Sequence, residues 1–247
     1  MIDTHCHLHD REFFSESQAE EMIRNARNRG IEKMIVVGTS REDSLVACDF
    51  AEKHQGIYWA YGEHPSVVSE ISGETASKSV SPDVLTTAIA IGEIGLDYHY
   101  NPETRPQQIK LFEQQLQLAK DHDLPVIFHV REAFADFFPI VENFPKITGV
   151  VHSFSDNKKN LRKILEGTDF YVGVNGLATY STLPTPSLER TLLETDAPFL
   201  APVPHRGETN QPAYVADVAE WLAHRLNRTI TEVDRVTTQN AQQLFGL

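Results

Sequence analysis

Cysteine is almost missing from this chain. Two of its 247 residues are cysteines, Cys6 and Cys48, which excludes a disulfide framework. Long apolar runs are also missing: none approaches the roughly 18 residues of a membrane helix, so no membrane partner is expected. The start, Met1-Ile2-Asp3-Thr4-His5, has neither a basic nor an apolar leader region, so no signal peptide is expected and the cytoplasm is the expected compartment. Positive charge is scarce. The 22 Lys and Arg stand against 35 Asp and Glu, a net charge of −13, so the chain has no basic coat for nucleic acid. Any contact with a polyanion must be local, through a few basic side chains or bound cations. The chain has no P-loop, no Gly-x-Ser-x-Gly and no Gly-x-Gly-x-x-Gly after a strand, which removes nucleotide-cradling and serine-hydrolase chemistry. It also has no repeat of 20–50 residues. Hydrophobic content of 40% and charged content of 23% are those of an ordinary globular chain, and one domain is expected over 1–247.

What is present is a rhythm. Short β-branched runs alternate with helical patterns, the signature of βαβ units and a parallel sheet. Strands are predicted at Ile2–His7, Lys33–Val37, Ile57–Gly62, Ile89–Ile94, Val126–Val130, Gly149–Ser153, Phe170–Val174 and Arg190–Glu194. Helices are predicted at Ser17–Arg29, Arg41–Lys53, from Ser81-Pro82-Asp83, and at Glu103–His122, Glu132–Glu142, Asn157–Leu165, Gln211–Leu226 and Thr231–Phe245. The stretch Ser69–Ser81 and the Pro-rich Leu183–Pro186 read as loops. Eight strands in about 250 residues fit an α/β chain folded as a (β/α)8 TIM-type barrel, with a doubly wound open sheet as the alternative.

The chain also holds 11 histidines, and they are unevenly placed. His5 and His7 end the first predicted strand, His64 follows the third, Glu93 ends the fourth, His129 the fifth and His152 the sixth, and Asp196 follows the eighth. C-terminal strand ends are where a barrel builds its active site. A spacing of two puts His5 and His7 on one strand face. Cys6 then faces the helices, where it reads as a small buried apolar residue. His9 continues the alternation but is expected beyond the strand end. Four imidazoles and two carboxylates on one rim suit divalent metal ions. Six such donors exceed what one tetrahedral ion with an open position requires. Two ions sharing a carboxylate fit better, and a water between them would be a nucleophile near neutral pH. Lys158, Lys159, Arg162 and Lys163 read as a solvated helix face, with a phosphate contact as the alternative. Phe134, Phe137 and Phe138 read as helix core.

Ordered blocks then carry a resemblance. Ile2-Asp3-Thr4-His5-Cys6-His7-Leu8, Gly62-Glu63-His64-Pro65, Ile91 to Tyr98, Pro125 to Ala133, Gly149 to Ser155, Glu194 to Leu200, and Arg206-Gly207 with Asn210 make the sequence similar, over essentially its whole length, to the TatD family of metal-dependent deoxyribonucleases, a branch of the amidohydrolase-like metallohydrolases. Ser66, Asp156, Glu208 and Gln211 depart from that family's usual histidine, glycine, lysine and glutamate, and they remove positive charge from the substrate rim.

The resemblance implies a distorted barrel with two divalent ions (Mg, Mn or Zn). His5 and His7 would hold one ion, His129 and His152 the other, and Glu93 would bridge them. Asp196 would hold the first ion and handle a proton of the attacking water, which makes Glu93 and Asp196 the implied catalytic pair. His64, Arg131 and Arg206 would face substrate. The implied reaction is hydrolysis of phosphodiester bonds in DNA, plausibly as an exonuclease, with DNA or another phosphodiester bound locally at the metal site. Two readings compete with it. One is a metallohydrolase of the same type acting on a small phosphoester, amide or lactone. The other is a metal-stabilised barrel that only binds. Nothing in the sequence sets an oligomeric state.

Overall fold

Strands form where the β-branched and aromatic runs lie. In the computed structural model, which describes residues 1–69 and 82–247, they are β1 (Ile2–Cys6), β2 (Lys33–Val37), β3 (Ile57–Tyr61), β4 (Ala90–Asp97), β5 (Val126–Arg131), β6 (Gly149–Val151), β7 (Tyr171–Val174) and β8 (Thr191–Leu193). All eight lie in one sheet in chain order, and every neighbouring pair is parallel. Chain order without reversal excludes the doubly wound alternative, whose strand order turns back at a switch point. The sheet curls until its ends meet. The Asp196 N–H donates to the His5 carbonyl and the His7 N–H to the Ala197 carbonyl, both at 2.8 Å, around a parallel bridge from Cys6 to Ala197. The fold is a nearly closed (β/α)8 barrel.

The helices are α1 (Glu16–Asn28), α2 (Arg41–Lys53), α3 (Pro82–Leu85), α4 (Arg105–His122), α5 (Phe134–Glu142), α6 (Lys158–Gly167), α7 (Val215–Leu226) and α8 (Ile230–Phe245). Local chemistry sets several starts. Ser15 and Gln18 form a reciprocal capping box at α1, and Ser40 and Asn157 accept N–H bonds at the starts of α2 and α6. Each satisfies donors that a helix start leaves open. Between β7 and β8 short 3-10 turns replace the helix, so the barrel is irregular there. From residue 70 on, the loop expected over 69–81 lies outside the described residues.

Two apolar layers hold the barrel. The outer one, between sheet and helices, contains Cys6, Trp59, Phe112, Phe128 and Phe137, all at most 2% exposed. The Phe134, Phe137 and Phe138 group belongs to it, as its helical spacing predicts. The inner layer fills the barrel with Ile2, Ile35, Val37, Ala60, Ala90, Ile127, Val150, Tyr171 and Leu192, joined by Ala241 and Phe245 of α8.

The inner layer shows how side chains are aimed at the rim. Strand residues alternate faces, so Ile127 and His129, Val150 and His152, and Leu192 and Glu194 share the inner face. On β1 and β4 the count is odd. Ile2 and Ala90 are inner residues, and simple alternation from them would send His5 and Glu93 outward. The pairing register shifts between Asp3 and Cys6 on β1 and between Ile91 and Ile94 on β4. Each irregularity re-aims the strand, as β-bulges do beside active sites, and Ile91 and Ile94 both pack on the helix side. On β1 the Asp3 carboxylate accepts the N–H of His5 at 3.3 Å, and both the N–H and the hydroxyl of Thr195 at 2.9 and 2.6 Å. Burial raises its pKa to about 8. On β4 the irregular backbone lies against Gly62, where a Cβ would stand 2.3 Å from the Gly92 carbonyl carbon.

Candidate metal centre

The rim gathers the six side chains that the sequence singles out. Glu93 is central, and its two oxygens face different partners. Oε2 stands 3.6 Å from His5 Nε2. Oε1 stands 2.5 Å from His129 Nδ1, 3.4 Å from His152 Nε2 and 4.0 Å from His64 Nε2. On the first side, His7 Nε2 is 3.3 Å from His5 Nε2, and Asp196 Oδ1 is 3.7 Å from His5 and 3.4 Å from His7. The His5 and His152 rings stack at 3.7 Å.

The other ring nitrogen of each histidine decides what its inner nitrogen can do. His7 Nδ1 donates to the Val37 carbonyl at 2.9 Å. His129 Nε2 lies 3.1 Å from Asp97 Oδ2, and His152 Nδ1 lies 3.0 Å from Glu194 Oε1. Outer partners of this kind hold the proton on the outer nitrogen and leave the inner lone pair for an ion. His64 is arranged the opposite way. Its Nδ1 accepts the Ser66 N–H at 3.2 Å, so in the neutral ring the proton sits on Nε2, which points toward Glu93. The backbone N–H of Ser66 thus makes His64 a donor at Nε2, and the Ser66 hydroxyl lies 2.9 Å from the same Nδ1.

Asp97 and Glu194 are the functional residues that sequence reasoning missed. Asp97 shares its strand face with Glu93 at a spacing of four. Glu194 follows Leu192 by two, as His152 follows Val150, so the alternation alone could have found both. Glu194 also accepts the Ser153 N–H at 2.7 Å. It packs on Gly173, where a Cβ would be 2.5 Å from its Oε2.

The electrostatics describe a cluster that needs cations. Burial alone would push the Glu93 carboxyl up, but the charges of His152 and His129 overcome it and hold the group well below the usual range. Asp196 is likewise lowered against burial, by His7, His152 and His5. Burial opposes charge on His129 and His152 as well, yet Glu93 with Asp97, and Glu194 with Glu93, raise them to about 9 and about 10. Burial and the neighbouring His129 push His64 down to about 3. Among the described residues no Lys or Arg pairs with Glu93, Asp196 or Glu194; their ion-pair partners are all histidines. Protons stand where cations fit, and metal binding to such groups displaces protons. The donor sets His5, His7, Asp196 and His64, Glu93, His129 each have ligand atoms within 4.8 Å of one another, as do His5, His152 and Glu194.

The remaining candidates divide. His9 turns away, with Nε2 3.1 Å from Asp43 Oδ1. Arg131 lines the cleft of about 850 Å³ above the cluster, as do His64 and Asp196. Arg206 is exposed, lies over the Tyr180 ring at 3.5 Å, and is not among the lining residues. The basic run on α6 is solvated: Arg162 pairs with Glu166 at 2.8 Å, and Lys163 reaches Glu142 at 3.9 Å. Cys6 is fully buried against the helices.

A parallel (β/α)8 barrel with imidazoles and carboxylates gathered at its C-terminal rim defines a metallohydrolase-type protein. The family model for TatD related DNases matches residues 2–246; the chain belongs to this family and is a metal-dependent hydrolase. It is 33% identical over 256 residues to the metal-dependent hydrolase YabD of Bacillus subtilis, covering 100% of this chain and 99% of that one. It is 32% identical over 262 residues, spanning all of both chains, to the 3'-5' ssDNA/RNA exonuclease TatD of Pantoea ananatis. Among solved structures, the TatD homologue YjjV of Escherichia coli K12 superposes with a TM-score of 0.84 at 30% identity, covering 100% of this chain and 98% of that one. A TatD family hydrolase of Entamoeba histolytica shares the fold at 20% identity, with a TM-score of 0.86 and coverage of 99% and 97%.

Proposed function

We propose that this chain is a two-ion phosphodiesterase that removes nucleotides from the ends of single-stranded DNA or RNA. The observation that carries this reading is Glu93, whose two oxygens face two separate groups of donors. His5, His7 and Asp196 would hold one ion, His129 and His152 the other, with Glu93 shared between them. The outer-nitrogen bonds of His7 and His129, and the 3.0 Å charge contact of His152 Nδ1 with Glu194, support that assignment. When bound, divalent ions such as Mg, Mn or Zn supply Lewis-acid charge to a phosphate and lower the pKa of a water toward neutrality.

The chain's own residues do the rest. Asp196, half-buried and on the cleft, accepts the proton of the attacking water. The neutral His64 hydrogen-bonds the departing oxygen through its Nε2–H, and that oxygen takes its proton from solvent water. Arg131 pairs with a phosphate oxygen of the strand. Asp97 and Glu194 keep the His129 and His152 rings oriented. Bound cations reconcile a −13 chain with an anionic substrate, because they are the largest local charges in such a site. The activity printed for the Pantoea ananatis relative supports the choice of nucleic acid.

The test is hydrolysis of single-stranded DNA, duplex DNA, RNA and bis(p-nitrophenyl) phosphate with Mg, Mn, Zn or EDTA, by the wild type, Glu93→Ala and Asp196→Asn. Metal-dependent cleavage of single strands is expected, abolished in Glu93→Ala. In Asp196→Asn it should fall about 10²- to 10⁴-fold in kcat with KM little changed, the range of general acid–base catalysis. Cleavage of the small diester alone would reject nucleic acid as substrate. Turnover kept by Asp196→Asn would reject its proton role.

A further inference from the structure

Aromatic side chains in this protein are mostly buried, and the exceptions are not scattered. Among the described residues three large aromatics are exposed: Phe13 at 46%, Tyr100 at 67% and Phe199 at 47%. All three line the cleft above the metal centre. An exposed aromatic costs hydration free energy wherever it lies, so their concentration at one site calls for a ligand with apolar faces.

They form two stations. Phe13 follows β1 and Phe199 follows β8; their rings meet edge to face at 5.3 Å, and the Phe199 ring lies 6.3 Å from that of His7. Tyr100 follows β4, and the Arg131 guanidinium at the end of β5 lies 4.6 Å from its centroid. In a barrel whose strands run in chain order, the β8–β1 seam and the β4–β5 seam are four strands apart in either direction. The stations therefore face each other across the metal centre.

Both are tied to it. The Phe199 N–H donates to the Asp196 carbonyl at 2.8 Å, and Asn210 Nδ2 donates to both the Phe199 and the Thr195 carbonyls. The Tyr100 N–H donates to Asp97 Oδ1 at 3.1 Å, while Asp97 Oδ2 contacts His129. Phe199 and Tyr100 are thus each one tight turn from a side chain of the centre.

The charge of the cleft says what the stations are for. Arg131 is the only Lys or Arg among its described lining residues, and Asp10, Glu132 and Asp156 also line it. Such a wall cannot hold a strand by tracking its phosphates, the usual source of nucleic-acid affinity. Beyond the phosphate held at the metal site and by Arg131, binding would come from the base faces, which stack on aromatics without regard to sequence. We infer that the Phe13–Phe199 pair and the Tyr100–Arg131 pair are two base-stacking stations that grip unpaired nucleotides on either side of the scissile phosphate. This inference rests on the phosphodiesterase reading. Paired bases are already stacked and cannot enter, so the stations also make the protein select single strands.

The test compares Phe199→Ala, Tyr100→Ala and Tyr100→Phe with wild type on two metal-loaded assays. One uses an ordinary single-stranded oligonucleotide. The other uses the same strand with tetrahydrofuran (baseless) residues flanking the scissile phosphate. Each alanine variant is expected to raise KM on the ordinary strand by about 5- to 150-fold, equivalent to roughly 1–3 kcal/mol for one lost stack, with kcat much less affected. Tyr100→Phe keeps the ring and should stay near wild type. The gap between variant and wild type should shrink on the baseless strand, and Ile230→Ala, an exposed apolar change at the start of α8, should alter neither assay. Alanine variants with unchanged KM, or with equal losses on both strands, would overturn the stacking role while leaving the phosphodiesterase reading intact. A wild type that cleaves no nucleic acid with any metal would reject that reading and the stations with it.

Discussion

At the residue scale, the centre depends on a carboxylate, Glu194, that is not among the cleft's lining residues. Glu194 is fully buried and acts on His152 and on the Ser153 N–H. With Glu194 in place, the His152 ring is fixed and its inner nitrogen is aimed at Glu93. Glu194→Gln preserves the shape but removes the charge that favours the outer proton. Metal affinity should fall about 10- to 100-fold, the usual effect of losing an outer partner of a ligand histidine. Titration of metal-free protein with Mn or Zn, read by calorimetry, measures it. An unchanged affinity would remove Glu194 from the support of the centre.

At the element scale, two strands carry register shifts and six do not, and the shifted ones hold His5 and Glu93. Irregular backbone is stabilised by neighbours: Asp3 takes up the His5 N–H and Thr195, and the Gly62 backbone lies against Gly92 and Glu93. The loop after β4 is tied down a second time. Asp136 on α5 accepts the Tyr98 hydroxyl at 2.6 Å and two Arg105 bonds at 2.7 and 2.8 Å. Burial pushes the Asp136 carboxyl up, but the Arg105 and Tyr98 bonds outweigh it and the net shift is downward. A carboxyl lowered by folding binds fewer protons in the native than in the unfolded state. Its stabilisation is therefore complete above the unfolded pKa of about 3.9 and is lost as pH falls through the lower folded value. Denaturant unfolding of Asp136→Asn should show lower stability than wild type at pH 6–7, and the difference should close as pH drops below about 4. A gap that widens toward acid would reject this account.

At the scale of the whole molecule, the barrel is held by apolar layers and the candidate metal centre lies above them. The inner layer, with Ala241 and Phe245 of α8, fills the barrel without help from the rim. Removing metal with EDTA should leave the far-ultraviolet circular dichroism folded but lower the melting temperature. At a metal concentration about 100 times Kd, the lost linkage stabilisation is about 2.7 kcal/mol, or roughly 5–10 °C for a chain of this size. A chelated protein that unfolds outright would mean that the ions build the barrel instead of occupying it. Among the described residues no helix is long and apolar enough to cross a membrane.

The one-dimensional pattern determined the strand and helix rhythm, the parallel class and the rim residues. It could do so because periodicity is local: a spacing of two places His129 above Ile127 and His152 above Val150 whatever surrounds them. The same rule could have found Glu194 above Leu192. It could not place His5 and Glu93 from Ile2 and Ala90, since each needs an extra residue in its strand, and that irregularity exists only against a neighbouring strand. Nor could spacing tell that Ser66 would hold the His64 proton inward, that His9 would turn to Asp43, or that Arg206 would lie on Tyr180. Those outcomes depend on contacts between segments far apart in sequence. The pairing of Phe13 with Phe199, 186 positions apart along the chain, was decided by closure of the sheet, because only a closed barrel brings its first and last strands together.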